Sequence, residues 1–234
     1  MSQVSPAWGV KYRPKSLKTF IGNDVVRSQI ESWAKTSFPQ FIVISGPTGT
    51  GKTTLARIIA EMITEGEKHP HIEEINAVID NGIEFMRNLA ASMAYAPTYG
   101  KYKIAILDEA HMITRQGASA LLKVLEEPPA HAVWIFATDQ PSKLLPTIRG
   151  RAATIKLSLP SEEDLIRRCK SILKKEKAKL PDAALQAVID STDRQPRLTL
   201  NVLSDLVSMV QGGTKWKSAL QQALDSANGD LKSS

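Results

Sequence analysis

Four short stretches of the chain are continuously apolar, and they predict the strands of a buried sheet. They are FIVIS (41–45), KIAILD (103–108), AVWIFAT (132–138) and ATIKL (153–157). A strand that is covered on both faces carries apolar side chains on both sides, whereas a half-exposed strand alternates. HIEEINA (71–77) is a weaker candidate for a fifth strand.

Helical patterns separate these apolar runs. Apolar residues recur at helical spacing over 24–35, 53–63, 83–94 and 117–127, and a pair of prolines at 128 and 129 ends the last of these segments. Strands that alternate with helices predict an α/β fold, in which right-handed crossovers join the strands of a parallel five-stranded sheet.

The pattern changes at Pro160, beyond which only helical segments follow. Ser161 and Asp164 have the spacing of a capping box. After them, Leu165, Cys169 and Ile172-Leu173 fall on one face of a helix. We therefore predict an α/β domain over 1–159, a small all-α domain over 160–228 and a frayed C-terminus over 229–234.

Composition narrows the class of protein. The 234 residues are 42% hydrophobic and 23% charged, as in ordinary globular proteins. The single cysteine excludes a disulfide framework and a multi-cysteine zinc site, and no apolar run approaches the roughly 20 residues of a membrane span. We expect a cytoplasmic protein without zinc or membrane contact. The net charge of +6 permits nucleic-acid binding without requiring it.

The segment GPTGTGKTT (46–54) lies between the first strand and a helix and has the spacing of a phosphate-binding loop. Its glycines let backbone N–H groups surround phosphate oxygens, the helix N-terminus favours an anion, and the lysine adds a positive charge. The threonine after the lysine offers a hydroxyl to Mg²⁺. The predicted nucleotide-binding residues are Gly46, Pro47, Thr48, Gly49, Thr50, Gly51, Lys52, Thr53 and Thr54.

A second chemical motif is IAILDEAH (104–111). Asp108, at the end of a buried strand, is predicted to hold the metal through water together with Thr53, and Glu109 is predicted to act as general base on the attacking water. The letters DEAH do not indicate a DEAH-box helicase, because such a helicase needs two nucleotide-binding domains and this chain has room for one. A small kinase would need a lid and a substrate pocket inserted in the α/β domain, whereas this chain continues into a separate helical domain. His111 is expected to form a local hydrogen bond rather than to ligate a metal.

From about Trp8 to about Leu206 the sequence resembles the AAA+ ATPase subunits of sliding-clamp loaders. The similarity is to the bacterial DNA polymerase III gamma/tau subunit and to replication factor C small subunits, and APTYGKYKIAILDEAHMITRQGASALLKVLEEPP (96–129) carries it most specifically. The resemblance implies an AAA+ P-loop core followed by a helical lid domain, with ATP and Mg²⁺ as ligands. It implies a DNA-stimulated ATP hydrolase.

The resemblance also assigns residues. In KYRPKSLKTFIGND, the residues that flank the adenine are Tyr12, Arg13, Pro14 and Ile21. The sensor 1 position carries Asp139, where asparagine or threonine is usual. In the lid, the sensor 2 pattern RQPRLTLNVL implies contacts from Pro196 and Arg197 to the nucleotide.

Two further assignments concern a neighbouring subunit and DNA. The family's Ser-Arg-Cys motif reads Gly150-Arg151-Ala152, and its arginine reaches the ATP of the adjacent subunit; Arg149 is a possible substitute. Arg87 and Arg115, each near a helix start, are predicted to contact phosphates of DNA.

The expected partners are other loader subunits, the sliding clamp and primer-template DNA, which would be bound without sequence specificity. The chain ends about where the family's collar domain would begin, so we expect a chain without that domain. Two alternatives remain. One is a stator or interaction subunit that binds ATP with little hydrolysis, for which Asp139 and the altered Ser-Arg-Cys motif argue. The other is a different AAA+ DNA motor, such as a branch-migration helicase.

Overall fold

The computed structural model describes residues 6–232 of the chain, with side chains to residue 227. Two compact units make up the fold. The sheet unit comprises Asn23–Pro47 and Lys52–Ser158. The helical unit comprises the segment through Gly22, the loop residues Thr48–Gly51 and the chain from Leu159 onward.

Five parallel strands form the sheet, in the order β2-β3-β4-β1-β5. Their bounds are β1 Phe41–Ser45, β2 His71–Asn76, β3 Lys103–Asp108, β4 Ala132–Thr138 and β5 Ala153–Lys156. The predicted five-stranded parallel sheet is confirmed, including its weakest strand. Two strands are one residue shorter than expected: β2 ends at Asn76 rather than at residue 77, and β5 ends at Lys156 rather than at residue 157.

The apolar runs are buried as their composition predicts. Every residue of β1 and of β4 is buried, as are the first five residues of β3. Strand β2 is more polar because it lies at the edge of the sheet, where one side has no neighbouring strand. Arg57 holds this edge with two hydrogen bonds to the Glu74 carboxylate, at 2.6 and 2.5 Å. A bidentate pair of this kind fixes geometry as well as charge.

Among its described residues the sheet unit contains five α-helices, of which the first precedes β1 and the other four connect successive strands. They are α2 Asp24–Lys35, α3 Lys52–Ile63, α4 Ile83–Ala94, α5 Arg115–Glu126 and α6 Pro146–Arg151. Helix α5 begins two residues before its predicted start because the Thr114 side chain accepts a hydrogen bond from Gly117 N. None of the helices in the described part of the chain has the length and apolar character needed to cross a lipid bilayer.

The helical unit contains α1 Trp8–Lys11, α7 Glu162–Lys175, α8 Asp182–Ser191, α9 Pro196–Gln211 and α10 Trp216–Lys232. Ser161 caps α7 by accepting a hydrogen bond from Asp164 N at 3.1 Å, as the sequence predicts. Cys169 is completely buried in the apolar core of this unit. Burial raises the pKa of its thiol to about 12.

The N-terminal segment differs from the predicted domain organisation. It was expected to belong to the α/β domain over 1–159, but the segment through Gly22 packs with the C-terminal helices. Trp8 is buried in their core, Gly9 N donates to Asn201 Oδ1 at 3.0 Å, and Arg168 Nη2 donates to Tyr12 O at 2.8 Å. These long-range contacts explain the grouping.

The C-terminal end also differs. Helix α10 continues to Lys232, beyond residue 229, where a frayed end was predicted. Helix α10 contains one glycine and no proline. Because a glycine costs only about 1 kcal/mol in a helix, the helix can continue through it. Residues 233 and 234 lie outside the described residues.

Candidate functional site

The phosphate loop connects the end of β1 at Ser45 to the start of α3 at Lys52. Gly46 has a φ of 151°, and a Cβ at this position would lie 2.6 Å from Leu157 O, so only glycine fits there. Lys52 is 6% exposed, and its Nζ donates to Gly46 O at 3.0 Å and to Pro47 O at 3.2 Å. The ammonium group is therefore held inside the loop.

The two predicted metal ligands lie in direct contact. Thr53 Oγ1, in the first turn of α3, donates to Asp108 Oδ2, at the end of β3, at 2.7 Å. The other oxygen of the carboxylate, Oδ1, accepts a hydrogen bond from Glu109 N at 3.1 Å. A hydroxyl and a carboxylate at one point form a set of hard oxygen donors, which is the type that Mg²⁺ prefers. The residues present therefore fit a magnesium ion.

Glu109 follows Asp108 in a left-handed backbone conformation, with φ 50°. Such a conformation is uncommon for a residue other than glycine and is found at functional sites. The Glu109 side chain is 34% exposed, so water can reach the carboxylate. The predicted general base thus lies directly beside the predicted metal ligand.

His111 connects Glu109 to Asp139. Its Nδ1 lies 3.6 Å from Glu109 Oε2, 3.4 Å from Asp139 Oδ1 and 3.2 Å from Thr138 Oγ1. The prediction of a local hydrogen bond for His111 agrees with the contact to Thr138, but the link to both carboxylates was missed. The sequence places Glu109 and Asp139 after two predicted strands, but only the structure shows that these strands are neighbours whose ends meet at the same edge of the sheet.

Arg151 is the last residue of α6 and is exposed. Its Nη1 donates to Leu125 O at 2.6 Å and to Glu126 O at 2.8 Å, at the end of α5. These carbonyls belong to the last turn of a helix, where backbone acceptors lack intrahelical partners. Within this chain Arg151 therefore stabilises the C-terminus of α5, and its role towards a neighbouring subunit stays a prediction. Arg149 is also exposed.

The remaining predicted nucleotide contacts lie in the helical unit. Tyr12 and Ile21 pack against its core. Arg13 and Pro14 follow Tyr12 directly in the chain. The Tyr12 hydroxyl donates to Glu176 Oε1 at 2.5 Å, as does Lys11 Nζ. These two hydrogen bonds lower the pKa of the Glu176 carboxyl, and burial raises the pKa of the Tyr12 hydroxyl. Whether Tyr12 flanks an adenine stays a prediction.

Helix α9 begins beside part of the phosphate loop. Gly49 has a φ of 82°, and a Cβ there would lie 3.1 Å from Gln195 Oε1. Gln195 immediately precedes Pro196 and Arg197, the first two residues of α9, and Arg197 is exposed. Because a helix N-terminus favours anions, the start of α9 has the character expected of a phosphate-contacting element.

The two arginines predicted to contact DNA lie on helices whose N-termini are joined. Asn81 O, just before α4, accepts hydrogen bonds from Thr114 N at 3.2 Å and Thr114 Oγ1 at 3.0 Å, just before α5. Arg115 is the first residue of α5, and Arg87 lies in the second turn of α4; both are exposed. Within the described part of the chain, neither guanidinium forms an ion pair. The structure thus places two helix N-termini side by side.

The sheet unit matches the sequence pattern of one protein family. The family described as "DNA polymerase III, delta subunit" matches residues 22–161, which is more than half of the chain. This chain belongs to that family. The match includes the phosphate loop, Asp108, Glu109 and Asp139, and it confirms the resemblance to AAA+ subunits of clamp loaders.

Two individual proteins that are similar to this chain carry names that agree with this family. DNA polymerase III subunit gamma of Buchnera aphidicola subsp. Schizaphis graminum is 31% identical over 231 residues, which cover 90% of this chain and 64% of the relative. Replication factor C subunit 4 of Saccharomyces cerevisiae is 31% identical over 204 residues, which cover 86% of this chain and 63% of the relative. The chain thus spans less than two thirds of either relative.

Among solved structures, the RuvB Holliday junction branch migration motor of Thermotoga maritima is similar to the family member with a TM-score of 0.74. The similarity covers 92% of this chain and 72% of RuvB at 19% sequence identity. At that identity the likeness shows the fold alone. The predicted AAA+ fold, a parallel sheet followed by a helical region, is confirmed.

Proposed function

We propose that the chain is the ATP-hydrolysing module of a sliding-clamp-loader subunit that acts in DNA replication. The contact between Thr53 Oγ1 and Asp108 Oδ2, at 2.7 Å, carries the proposal. It joins the phosphate loop to the end of β3, where Glu109 follows. Structural support for a turn would not require a hydroxyl, a carboxylate pair and a buried lysine at the same edge of the sheet.

Each of these residues has a separate chemical task in the proposed reaction. Lys52 offsets the negative charge of the phosphates, and the N-terminus of α3 donates backbone N–H groups to them. Thr53 and Asp108 hold Mg²⁺, which neutralises charge that develops on the phosphate oxygens. Glu109 accepts the proton of the attacking water. Arg197, at the start of α9, is proposed to contact the phosphates of the same nucleotide.

Arg151 is proposed to complete the site of an adjacent subunit. Nη1 already bonds the end of α5, but a guanidinium carries five N–H donors, so others stay available for a phosphate. An arginine that reaches the ATP of a neighbouring subunit makes turnover depend on assembly of the subunits. Turnover by the isolated chain should therefore be slow and should rise with protein concentration or with partner subunits.

DNA is the second proposed ligand. The N-termini of α4 and α5, joined through Thr114 and Asn81, offer backbone N–H groups, and each helix carries an exposed arginine in its first two turns. This combination suits a phosphate backbone. Phosphate contacts carry no base information, so binding should be non-specific and strongly salt-dependent. A single chain offers few contacts, so its affinity for DNA should be weak outside an assembly.

The deciding experiment measures ATP turnover by the chain with its partner subunits, with and without primed DNA and a sliding clamp. Stimulation by both ligands supports the loader function. Turnover that is indifferent to DNA and clamp contradicts it. A Glu109→Gln variant, which should still bind ATP, identifies turnover by a contaminating enzyme.

A second candidate function is a subunit that binds ATP but scarcely hydrolyses it. Two observations favour it. The sensor 1 position carries a carboxylate that contacts His111, and the Arg151 guanidinium is engaged within its own chain. Tight nucleotide binding without turnover in the same assay, in the presence of partner subunits, would support this candidate over hydrolysis.

A further inference from the structure

His111 contacts two carboxylates but has no task in the ATP hydrolysis proposed above. One carboxylate oxygen each of Glu109 and Asp139 lies with a ring nitrogen of His111 in a group whose atoms are all within 4.8 Å of one another. The imidazole is 9% exposed, whereas the Glu109 and Asp139 side chains are 34% and 31% exposed. A nearly buried ring therefore lies close to two carboxylates that solvent can reach.

Rigid elements fix the three residues. Glu109 follows β3, Asp139 follows β4, and these strands are neighbours in the sheet. His111 lies in a short 3-10 turn, Ala110–Met112, which closes with a hydrogen bond from Met112 N to Glu109 O at 2.8 Å. The ring is therefore held by backbone structure on one side and by Thr138, which is fully buried, on the other.

The groups that face Nδ1 favour a proton on this nitrogen of the imidazole. Both carboxylates accept hydrogen bonds and, when ionised, cannot donate them. Thr138 Oγ1 accepts a hydrogen bond from Gln140 N at 3.0 Å and keeps a second lone pair that can accept another. A proton on Nδ1 therefore satisfies the oxygen atoms that face this nitrogen, whereas a bare Nδ1 would present a lone pair to both carboxylates.

We propose that His111 is a positioning residue, whose Nδ1–H is shared between Asp139 and Glu109 and holds the Glu109 carboxylate in place against the repulsion of Asp139. The inference rests on the proposed role of Glu109 as general base. It applies to this chain because the sensor 1 position carries a carboxylate, so that two like charges meet where a neutral side chain would cause no repulsion.

Three substitutions of His111 separate positioning from packing. His111→Asn places an amide N–H near the position of Nδ1, whereas His111→Gln places its amide near Nε2, and His111→Ala has no donor. His69→Ala is the matched control, because His69 is an exposed histidine of the same unit, in contact with the Tyr99 ring and remote from these carboxylates in sequence. Each variant is assayed as the full chain with its partner subunits.

The expected pattern is a loss in kcat without a loss in nucleotide affinity. For His111→Ala and His111→Gln, kcat falls roughly tenfold or more, out of the roughly 100- to 10,000-fold that a positioned base contributes. His111→Asn stays within about threefold of wild type, and KM changes little in all variants. Adding Asp139→Asn to His111→Ala restores part of kcat, because it removes the repelling charge.

Three kinetic outcomes would overturn the inference. They are an unchanged kcat in His111→Ala, a kcat in His111→Asn as low as in His111→Ala, and a double variant no faster than His111→Ala. A histidine that serves only packing would not respond to the charge at residue 139, so the double variant distinguishes the two roles.

A readout without turnover keeps the inference separate from the proposed function. Long-range ¹H–¹⁵N spectra of the histidine rings, with His111→Gln for assignment, report which nitrogen is protonated. We expect a proton on Nδ1 and a change in its signal in Asp139→Asn. If the wild-type protein hydrolyses no ATP, the proposed function fails, but these spectra still test the inference about His111. An unprotonated Nδ1 would refute that inference.

Discussion

Replacing Thr53 with valine removes the hydroxyl that joins α3 to the end of β3 and leaves a side chain of nearly the same shape. In the structure this hydroxyl donates to Asp108 Oδ2 at 2.7 Å. Asp108 keeps one other hydrogen bond, from Glu109 N at 3.1 Å. The substitution therefore tests the proposed metal site without removing the carboxylate.

The magnitude follows from the type of hydrogen bond that is lost. A hydrogen bond to a charged group contributes about 1.5–3 kcal/mol, and each 1.4 kcal/mol corresponds to about a factor of ten in affinity. If Mg²⁺ takes the place of this proton, Thr53→Val should reduce the magnesium-dependent gain in ATP affinity by roughly ten- to hundredfold. With EDTA present, the variant and wild type should bind ATP with similar affinity.

The assay titrates a fluorescent ATP analogue into each protein in Mg²⁺ and in EDTA. Thr64→Val is the matched control, because Thr64 is 5% exposed and its hydroxyl donates to Ala60 O at 3.0 Å, at the far end of the same helix. This control loses a neutral hydrogen bond, worth about 0.5–1.5 kcal/mol of unfolding free energy, and should keep the full magnesium response. A full magnesium response in Thr53→Val would show that Thr53 is not a metal ligand.

The other predictions concern the remaining parts of the site and the helical core. Lys52→Ala should abolish tight nucleotide binding in the same titration, whereas Glu109→Gln should keep binding and stop hydrolysis, because an amide cannot act as base; normal turnover in Glu109→Gln would contradict its assignment. Arg87→Ala combined with Arg115→Ala should remove DNA stimulation of the assembled ATPase with ATP binding unchanged, and each lost phosphate contact should lower the salt slope by roughly one. Undiminished stimulation would place the DNA elsewhere. Cys169, whose thiol pKa burial raises to about 12, should resist iodoacetamide at pH 8 until urea unfolds the helical unit, as followed by mass spectrometry. Modification of the native chain at the rate of a free thiol would contradict its burial.

The local elements of the fold could be predicted because their causes are local. Continuous apolar runs and helical periodicity, together with prolines 128 and 129, identify most strand and helix bounds within a residue or two. The weak strand β2 is the exception that depends on tertiary structure. Its polar edge is compatible with a strand because it pairs with β3 on one side only and because Arg57 holds Glu74.

The position of the N-terminal segment could not be predicted from local pattern. Its partners Arg168, Glu176 and Asn201 lie more than 150 residues away in the chain, and no periodicity in the segment names them. Arg151 is a similar case, because its hydrogen bonds to the end of α5 depend on where α6 lies in the folded unit. A motif assigns such a residue a chemistry, but the fold decides which acceptors it meets.

The sequence by itself determined the phosphate loop, the Asp108-Glu109 pair and the parallel sheet, because each depends on residue types at fixed short spacing. Only the tertiary structure decided that Thr53 contacts Asp108 and that His111 lies between Glu109 and Asp139. Those contacts form where separate strands of a parallel sheet end together, and strand order is set by long-range packing, which short spacings in the chain do not encode.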